Sequence, residues 1–354
     1  MNSTSGIDVQ SAFRKCFELR VSSFGKRRTI TKFPKLLGKV LVKGVSKVQR
    51  HFSGDAEALE RSGRIIASLS LTRAPEDIPP LIVSEIITPL FQDDNHWLQE
   101  QTAKAVAVVA AQVPAETCLA LLNYPRALEG LVRLLFRKER ANVQEGAAFA
   151  LINLVGASEE CQRKLAEYPN ALSAVVCLLS QDRNAQVLMH GASLLFLLGL
   201  LPEYQVPIVE FPGALEGLVR LLLVEMPLLQ GRAALAISAL AASPDTKETI
   251  AEFPLAFMGI LQLLEKDDLP EVQECAVGAV ANLITALTAP RILEIPNVLE
   301  RLVLLAPTCE AALVAIINLD YFGRKQSAKE MAEQALARCR RLPEFRLLNY
   351  PTSV

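Results

Sequence analysis

The side chains that most often bind metals or transfer protons are sparse in this chain of 354 residues. Its three histidines are His51, His96 and His190, and none belongs to an HExxH motif or a close set of ligand-type residues. A protein metal site needs several such ligands held at a matched spacing. The sequence therefore predicts no metal site and no cofactor.

The cysteines give no sign of a disulfide framework or a zinc site. They are odd in number, widely spaced and free of any CxxC pair, whereas secreted disulfide frameworks use an even number. We expect reduced thiols, most of them buried as small apolar residues, and an intracellular, cytoplasmic location. The seven residues are Cys16, Cys118, Cys161, Cys177, Cys275, Cys309 and Cys339.

Two pairs of carboxylates could in principle perform acid–base chemistry, Asp93 with Asp94 and Asp267 with Asp268. Such chemistry needs enclosed carboxylates with shifted pKa values, but both pairs lie in predicted loops between helices. We interpret them as solvated turn residues. The sequence also contains no GxxxxGK[ST] loop, GxGxxG turn or GxSxG motif, so it does not predict an enzyme.

Charge divides the chain into two parts. Residues 1–50 carry twelve Lys or Arg against Asp8 and Glu18, a net charge of +10, which leaves −11 for the remainder of a chain whose formal charge is −1. We expect residues 1–32 to be a disordered basic segment. The alternative is a transit peptide of a mitochondrion or plastid, since such peptides are basic, contain Ser and have few acids.

A basic stripe follows within residues 33–54, formed by Lys35, Lys39, Lys43 and Lys47 at intervals of four residues. This spacing places the four lysines along one side of a helix. One interpretation is an amphipathic helix that contacts an anionic membrane surface or an acidic protein. The other is an N-terminal cap for the repeats described next, because Pro34 precedes Pro80 by 46 residues and a cap needs a polar outer face.

Six proline-headed segments give the rest of the chain its organisation. Their prolines are spaced by 45, 44, 43, 42 and 42 residues, and a period of this length is typical of a repeat array. The segments are PPLIVSEIITPLF (79–91), YPRALEGLVRLLF (124–136), YPNALSAVVCLLS (168–180), FPGALEGLVRLLL (211–223), FPLAFMGILQLLE (253–265) and IPNVLERLVLLAP (295–307).

Each unit contains three helical signals. Apolar residues at fixed positions after the proline, such as Leu128, Leu131 and Val132, predict a helix with one buried face and the proline in its first turn. Glu129 and Arg133 form a predicted i,i+4 ion pair on the other face. A longer helix rich in small residues follows, for example VQEGAAFALINL at 143–154, and a short helix such as 159–168 precedes the next proline. The uncharged run at 185–202 fits this phase, so we predict a buried helix there and no transmembrane segment.

Segments such as VQEGAAFALINL and VQECAVGAVANL, preceded by ALEGLVRLL-type helices, resemble the armadillo repeat family. The resemblance implies an all-α fold, a right-handed armadillo-like superhelix of about six repeats with helical caps. We expect the repeats at 55–323 and a capping helix with a tail at 324–354. One departure is that a proline stands where the family usually has Gly between its first and second helices.

The same resemblance implies a concave groove lined by the long third helices. Peptide-binding members carry a Trp there and, four residues later, an Asn that holds the peptide backbone. In this chain three Asn occupy those positions and no Trp does. The middle unit, with Leu197 and Leu201, is predicted to be apolar in the groove. Helical phase predicts that the groove is lined by Gln101, Lys104, Phe149, Asn153, His190, Arg232, Asn282 and Asn318.

These features predict a non-catalytic scaffold that offers a groove to a segment of a partner protein. An alternative is a fixed subunit of a large complex, in an organelle or at a membrane, which the basic stripe motivates. A third interpretation, a helical-repeat enzyme such as a lyase, has no catalytic residues to support it. We expect no nucleic-acid partner.

Overall fold

The computed structural model describes residues 86–111, 113–180, 184–266, 268–306 and 309–322, together with Glu330, Gln334 and Ala337. Every regular element within these ranges is helical, as predicted. The predictions for residues 1–85, including the basic stripe, lie outside the described residues, and so does most of the predicted C-terminal cap.

The described chain begins with the end of one unit, helices α1 (Thr88–Leu90) and α2 (His96–Ala110). Five units follow, and each has a short first helix, a second helix and a long third helix. They are α3 (Ala115–Asn123), α4 (Ala127–Leu134) and α5 (Ala141–Val155); α6 (Glu159–Ala166), α7 (Ala171–Leu179) and α8 (Ala185–Gly199); α9 (Pro202–Val209), α10 (Ala214–Leu223) and α11 (Pro227–Leu240); α12 (Pro244–Glu252), α13 (Ala256–Leu263) and α14 (Pro270–Leu283); α15 (Ala289–Glu294), α16 (Val298–Leu305) and α17 (Glu310–Phe322).

The core runs along the stacked units. Each long helix packs on the next, from α2 to α17, and the second helix of each unit packs on the long helix that follows it. The predicted apolar positions of α4, including Leu128, Leu131 and Val132, are buried. The uncharged run forms the buried helix α8, as predicted. Among the described helices, none has the length and apolar character needed to cross a bilayer.

The aromatic–proline pair at each junction forms a turn before the second helix. At the first complete junction the Ala127 amide donates to the Tyr124 carbonyl at 3.1 Å, and Arg126 has φ 67°. Pro at the second position and a left-handed residue at the third define a type II turn. The prediction that proline occupies the first helical turn is therefore wrong. The equivalent left-handed residues are Asn170, Gly213, Leu255 and Asn297.

Most second helices end near a leucine whose carbonyl accepts a hydrogen bond from a buried glutamine of the long helix. Such carbonyls lack a partner within their own helix. The recurring glutamine of LQEQ, VQEG, LQGR and VQEC is the sequence signal of this bond, which helical phase alone does not reveal. The bonds join Nε2 of Gln99, Gln144, Gln230 and Gln273 to the carbonyls of Leu90, Leu135, Leu222 and Leu264, at 3.2, 2.7, 3.0 and 2.9 Å.

The unit of α8 has Leu188 in place of this glutamine, and the next unit supplies the missing donor. Arg220 of α10 donates to the carbonyl of Leu179, the last residue of α7. One turn earlier on α10, a β-carbon at Gly217 would lie 2.8 Å from Leu179 Cβ, so the two helices approach closely.

An arginine of α4 also links successive units. Arg133 forms an ion pair with Asp93, which follows α1 in the preceding unit. The predicted pair of Arg133 with Glu129 is therefore wrong, and Glu129 pairs instead with Arg126. Asp93 also pairs with Arg137, so this turn carboxylate has a structural role.

The left-handed turn residue predicts the effect of two substitutions. Leu255 has φ 63° and is 60% exposed, so its strain is not offset by burial. A left-handed conformation costs a non-Gly residue roughly 1–2 kcal/mol. Replacement by glycine removes this cost, but part of the gain is offset because glycine makes the unfolded chain more flexible. We expect Leu255→Gly to raise the free energy of unfolding in urea by about 1 kcal/mol. Leu255→Ala, which retains a β-carbon, is the control and should give no comparable gain.

Gly213→Ala should lower the free energy of unfolding by a similar amount. Its φ is 84°, while an added β-carbon would meet only Val176 Cγ1 at 3.6 Å, an ordinary contact. The loss would therefore come from the backbone and not from crowding. Equal stability of Leu255→Gly and Leu255→Ala would contradict this account of the turn.

Candidate protein-binding groove

The candidate groove is the side of the long helices that carries the eight predicted residues. Its middle does not have the open apolar character that we predicted, because Leu197 and Leu201 are buried. Helix α8, which carries Leu197, packs against α5, α11 and its own second helix. Of the eight predicted residues, two are exposed (Phe149 and Arg232), three are partly exposed (Lys104, Asn153 and Asn318) and three are buried (Gln101, His190 and Asn282).

The three asparagines at the predicted clamp positions are hydrogen-bonded within the solenoid. Nδ2 of Asn153, Asn282 and Asn318 donates to the carbonyls of Ala107, Ser238 and Ala281, at 3.0, 2.8 and 3.1 Å. Each acceptor lies on the preceding long helix. At the first of them, the Ala107 carbonyl also accepts the helical bond from Ala111. These amides thus link successive long helices, which is a structural role.

The first unit of the groove is only partly open. Gln101 is 2% exposed, so the prediction that it lines the groove is wrong. Its Oε1 is buried without a partner among the described residues. Lys104 is half-buried and forms an ion pair with Glu100 one turn earlier. Its Cγ would lie 3.5 Å from a β-carbon at Gly146, so the lysine side chain runs beside α5.

Phe149 and His190 form the best-defined pair of side chains in the groove. Their rings stack with centroids 5.5 Å apart and planes inclined by 16°. Phe149 is 36% exposed, whereas His190 is only 8% exposed. The Nδ1 atom of His190 is buried without a partner among the described residues. Phe149 therefore covers one face of the His190 ring, and His190 presents only an edge of its ring to the groove.

Arg232 lies at the position equivalent to His190 on the next long helix, α11, and its side chain is exposed. Burial lowers the pKa of His190 to about 4, and the positive charge of Arg232 acts in the same direction. The imidazole is therefore neutral at pH 7. No ion pair joins Arg232 to any residue in the described part of the chain.

The groove also carries carboxylates and apolar side chains near Phe149, His190 and Arg232, and helical phase did not predict them. Glu145 on α5 and Glu274 on α14 occupy equivalent positions, the first partly exposed and the second exposed. Trp97 and Leu228 occupy equivalent positions near the N-termini of α2 and α11, and they are 46% and 68% exposed. The sequence signal that could have found them is their register, four and seven residues before the positions that carry Trp in the family.

No group of three His, Cys, Asp or Glu side chains among the described residues could hold a metal ion. The groove instead offers a ring face, exposed apolar side chains and charges of both signs. Such groups can bind a polypeptide through its side chains.

Solved structures that resemble this chain include engineered proteins and designed armadillo repeat proteins. One is an engineered protein from the Northeast Structural Genomics Consortium, 23% identical, with a TM-score of 0.63 over 85% of this chain and 78% of that chain. Another is a designed armadillo repeat protein, 26% identical, with a TM-score of 0.51 over 72% of this chain and 98% of that chain. A third is a designed armadillo repeat protein in complex with peptide (KR)4, 23% identical, with a TM-score of 0.51 over 76% and 100%.

These likenesses identify the fold as an armadillo-type repeat solenoid, which confirms the fold class predicted from the sequence. No protein-family model and no curated protein sequence matches the chain. The structural class is therefore established, while the partner has to be inferred from the groove.

The buried hydrogen bond of Asn282 predicts an order among two substitutions. Asn282→Asp keeps the shape but replaces the donor by a carboxylate that faces the Ser238 carbonyl. An unsatisfied buried polar group costs about 1–3 kcal/mol, and a charge costs more. Asn282→Leu, which copies Leu197 at the equivalent position of α8, is the control. We expect Asn282→Asp to lower the free energy of unfolding in urea at pH 7 by more than Asn282→Leu does. Equal losses would contradict a stabilising hydrogen bond at this position.

His190 predicts a dependence of stability on pH. Its folded pKa of about 4 lies below the ordinary value of 6.5, so the unfolded chain binds the proton first. The contribution of His190 is therefore complete above pH 6.5 and is lost as the pH falls towards 4. The loss should approach about 3 kcal/mol.

The measurement is the free energy of unfolding between pH 7 and 4 for the wild type and His190→Gln. Gln is the residue at the equivalent position in α2, and it does not titrate. The carboxylates titrate in both proteins, so the difference between the two curves isolates His190. Parallel curves would contradict the low pKa.

Proposed function

We propose that this protein is a non-catalytic scaffold that binds a segment of a partner protein along the groove. The observation that carries this proposal is the register of the accessible groove residues. Phe149 on α5, Leu228 and Arg232 on α11, and Glu274 on α14 lie on one side of the long helices. A polypeptide laid across those helices would meet an apolar or charged group on α5, α11 and α14.

The groove favours a segment of mixed charge. A designed armadillo repeat protein of the same fold was solved in complex with peptide (KR)4, which supports a peptide as the class of ligand. In this chain Arg232 would repel a uniformly basic peptide at the centre, while Glu145 and Glu274 would attract basic residues on either side. The positions that carry Trp in the family hold other residues here, so the side-chain preferences differ.

The test is a selection of random 12-residue peptides displayed on phage against the immobilised full-length chain. Selected peptides would be synthesised, and their binding to the wild type and to Glu274→Lys would be measured by fluorescence anisotropy. We expect Glu274→Lys to weaken binding about tenfold, the effect of losing one close attraction and gaining a repulsion.

Glu216→Lys is the matched control, since it makes the same change of charge at an exposed position of the second helix α10. It should change the affinity less than about twofold, because screened surface charges contribute little. Peptides that bind both variants equally would place the binding surface outside the groove and overturn the proposal.

A fixed subunit of a larger complex is the second candidate. It is favoured by exposed apolar side chains away from the groove, which are typical of permanent interfaces. Leu223 lies beside α13, where a β-carbon at Gly259 would be 3.6 Å from its Cδ2, and the neighbouring Leu255 and Met258 are exposed. Recovery of the chain in one complex of constant stoichiometry, stable in high salt, would favour this candidate. A set of partners that changes between conditions would favour the scaffold.

A further inference from the structure

The centre of the groove contains one cation that the solenoid itself does not neutralise. Arg232 is exposed on α11 and forms no ion pair with any described residue. At the equivalent position of the other long helices the chain has Gln101, Gly146, His190, Cys275 and Ala311. Among the six described long helices, this position therefore carries a positive charge only on α11, directly after the unit of His190.

His190 has one nitrogen available to a ligand. Nδ1 is buried without a partner in the described part of the chain, and a buried N–H without an acceptor is rarer and more costly than a bare acceptor. The proton of the neutral ring therefore belongs on Nε2, where it forms a hydrogen-bond donor. Stacking on Phe149 fixes the plane of the ring, so the direction of this donor is fixed as well.

We propose that the His190 Nε2–H and the Arg232 guanidinium form a subsite that binds a carboxylate of the docked polypeptide, with Phe149 packing against the adjoining part of that residue. The inference rests on the proposed function of the groove. A charged donor and a neutral donor suit the two oxygens of a carboxylate. A phosphate dianion fits less well, because the subsite has a single cation and the flanking long helices α5 and α14 carry Glu145 and Glu274.

The carboxylate can belong to an Asp or Glu side chain or to a chain end. Two display formats separate these sources: peptides inserted between phage-coat segments, which have no free C-terminus, and peptides with a free C-terminus. We expect the first format to select an Asp or Glu at a fixed position. Selection only from the second format would assign the subsite to the terminal carboxylate.

The decisive measurement is a double-mutant cycle on a selected peptide. Replacing its acidic residue by the amide should weaken binding to the full-length wild type about tenfold, as for a hydrogen-bonded charge pair. The same replacement should change binding to Arg232→Gln less than twofold (within about the error of additivity). Arg291→Gln, an exposed arginine on the first helix α15, is the control and should behave as the wild type.

A second measurement reads the subsite without any peptide. The chain has three histidines, so side-chain NMR of ¹⁵N-labelled histidine resolves few signals, and His190→Gln identifies those of His190. Titration of the full-length protein with sodium acetate should shift the Nε2 signal of His190 at pH 7 in the wild type and Arg291→Gln. It should not do so in Arg232→Gln.

The outcomes distinguish the two proposals. Groove-dependent peptides with no acidic preference and no coupling to Arg232 would overturn the subsite and leave the scaffold intact. An absence of groove-dependent peptides would overturn the scaffold, and the acetate titration would then decide the subsite alone. A stronger response to inorganic phosphate than to acetate would overturn the assignment to a carboxylate.

Discussion

The hydrogen bond between a buried glutamine and the end of the second helix is the constraint on which the repeat depends. Its acceptor is the carbonyl of a leucine such as Leu222, and the side chain of that leucine packs against a glycine of the next second helix, here Gly259. Through its carbonyl, this leucine fixes the angle between the second and third helices of its own unit. Through its side chain, it fixes the distance between successive second helices. Where Leu188 replaces the glutamine, Arg220 restores the bond from the neighbouring unit, so the carbonyl is satisfied by a contact that also joins two units.

The helices could be predicted closely from sequence because the period and the apolar spacing both report burial. The segment predicted at 143–154 is the helix Ala141–Val155, and the uncharged run at 185–202 contains the helix Ala185–Gly199. The start of the second helix could not be predicted in the same way. Proline has the same φ in a first helical turn and in the second position of a β-turn. The left-handed residue after the proline distinguishes the turn from the helix, but its type varies between units, for example Gly213 and Leu255.

The candidate groove was less predictable, since helical phase gives the side of a helix and not its accessibility. Gln101 and Lys104 are one turn apart, yet Gln101 is buried and Lys104 is partly open. The difference depends on the neighbouring helix, where Gly146 leaves room for the stem of Lys104. The stack of Phe149 on His190 likewise requires two units at the observed separation, which no single segment of sequence contains.

The asparagines connect the stability of the solenoid with the way in which it can recognise a partner. In the family, this amide holds the backbone of the peptide, but here Asn153, Asn282 and Asn318 donate to the preceding long helix. Each of these bonds uses one of the two N–H groups of the amide and strengthens the stack. The exposed groove side chains differ in character from one helix to another: a ring at Phe149, a cation at Arg232 and a carboxylate at Glu274. A segment bound as proposed would be discriminated by the order of its residues, whereas a ladder of identical clamps would accept many sequences.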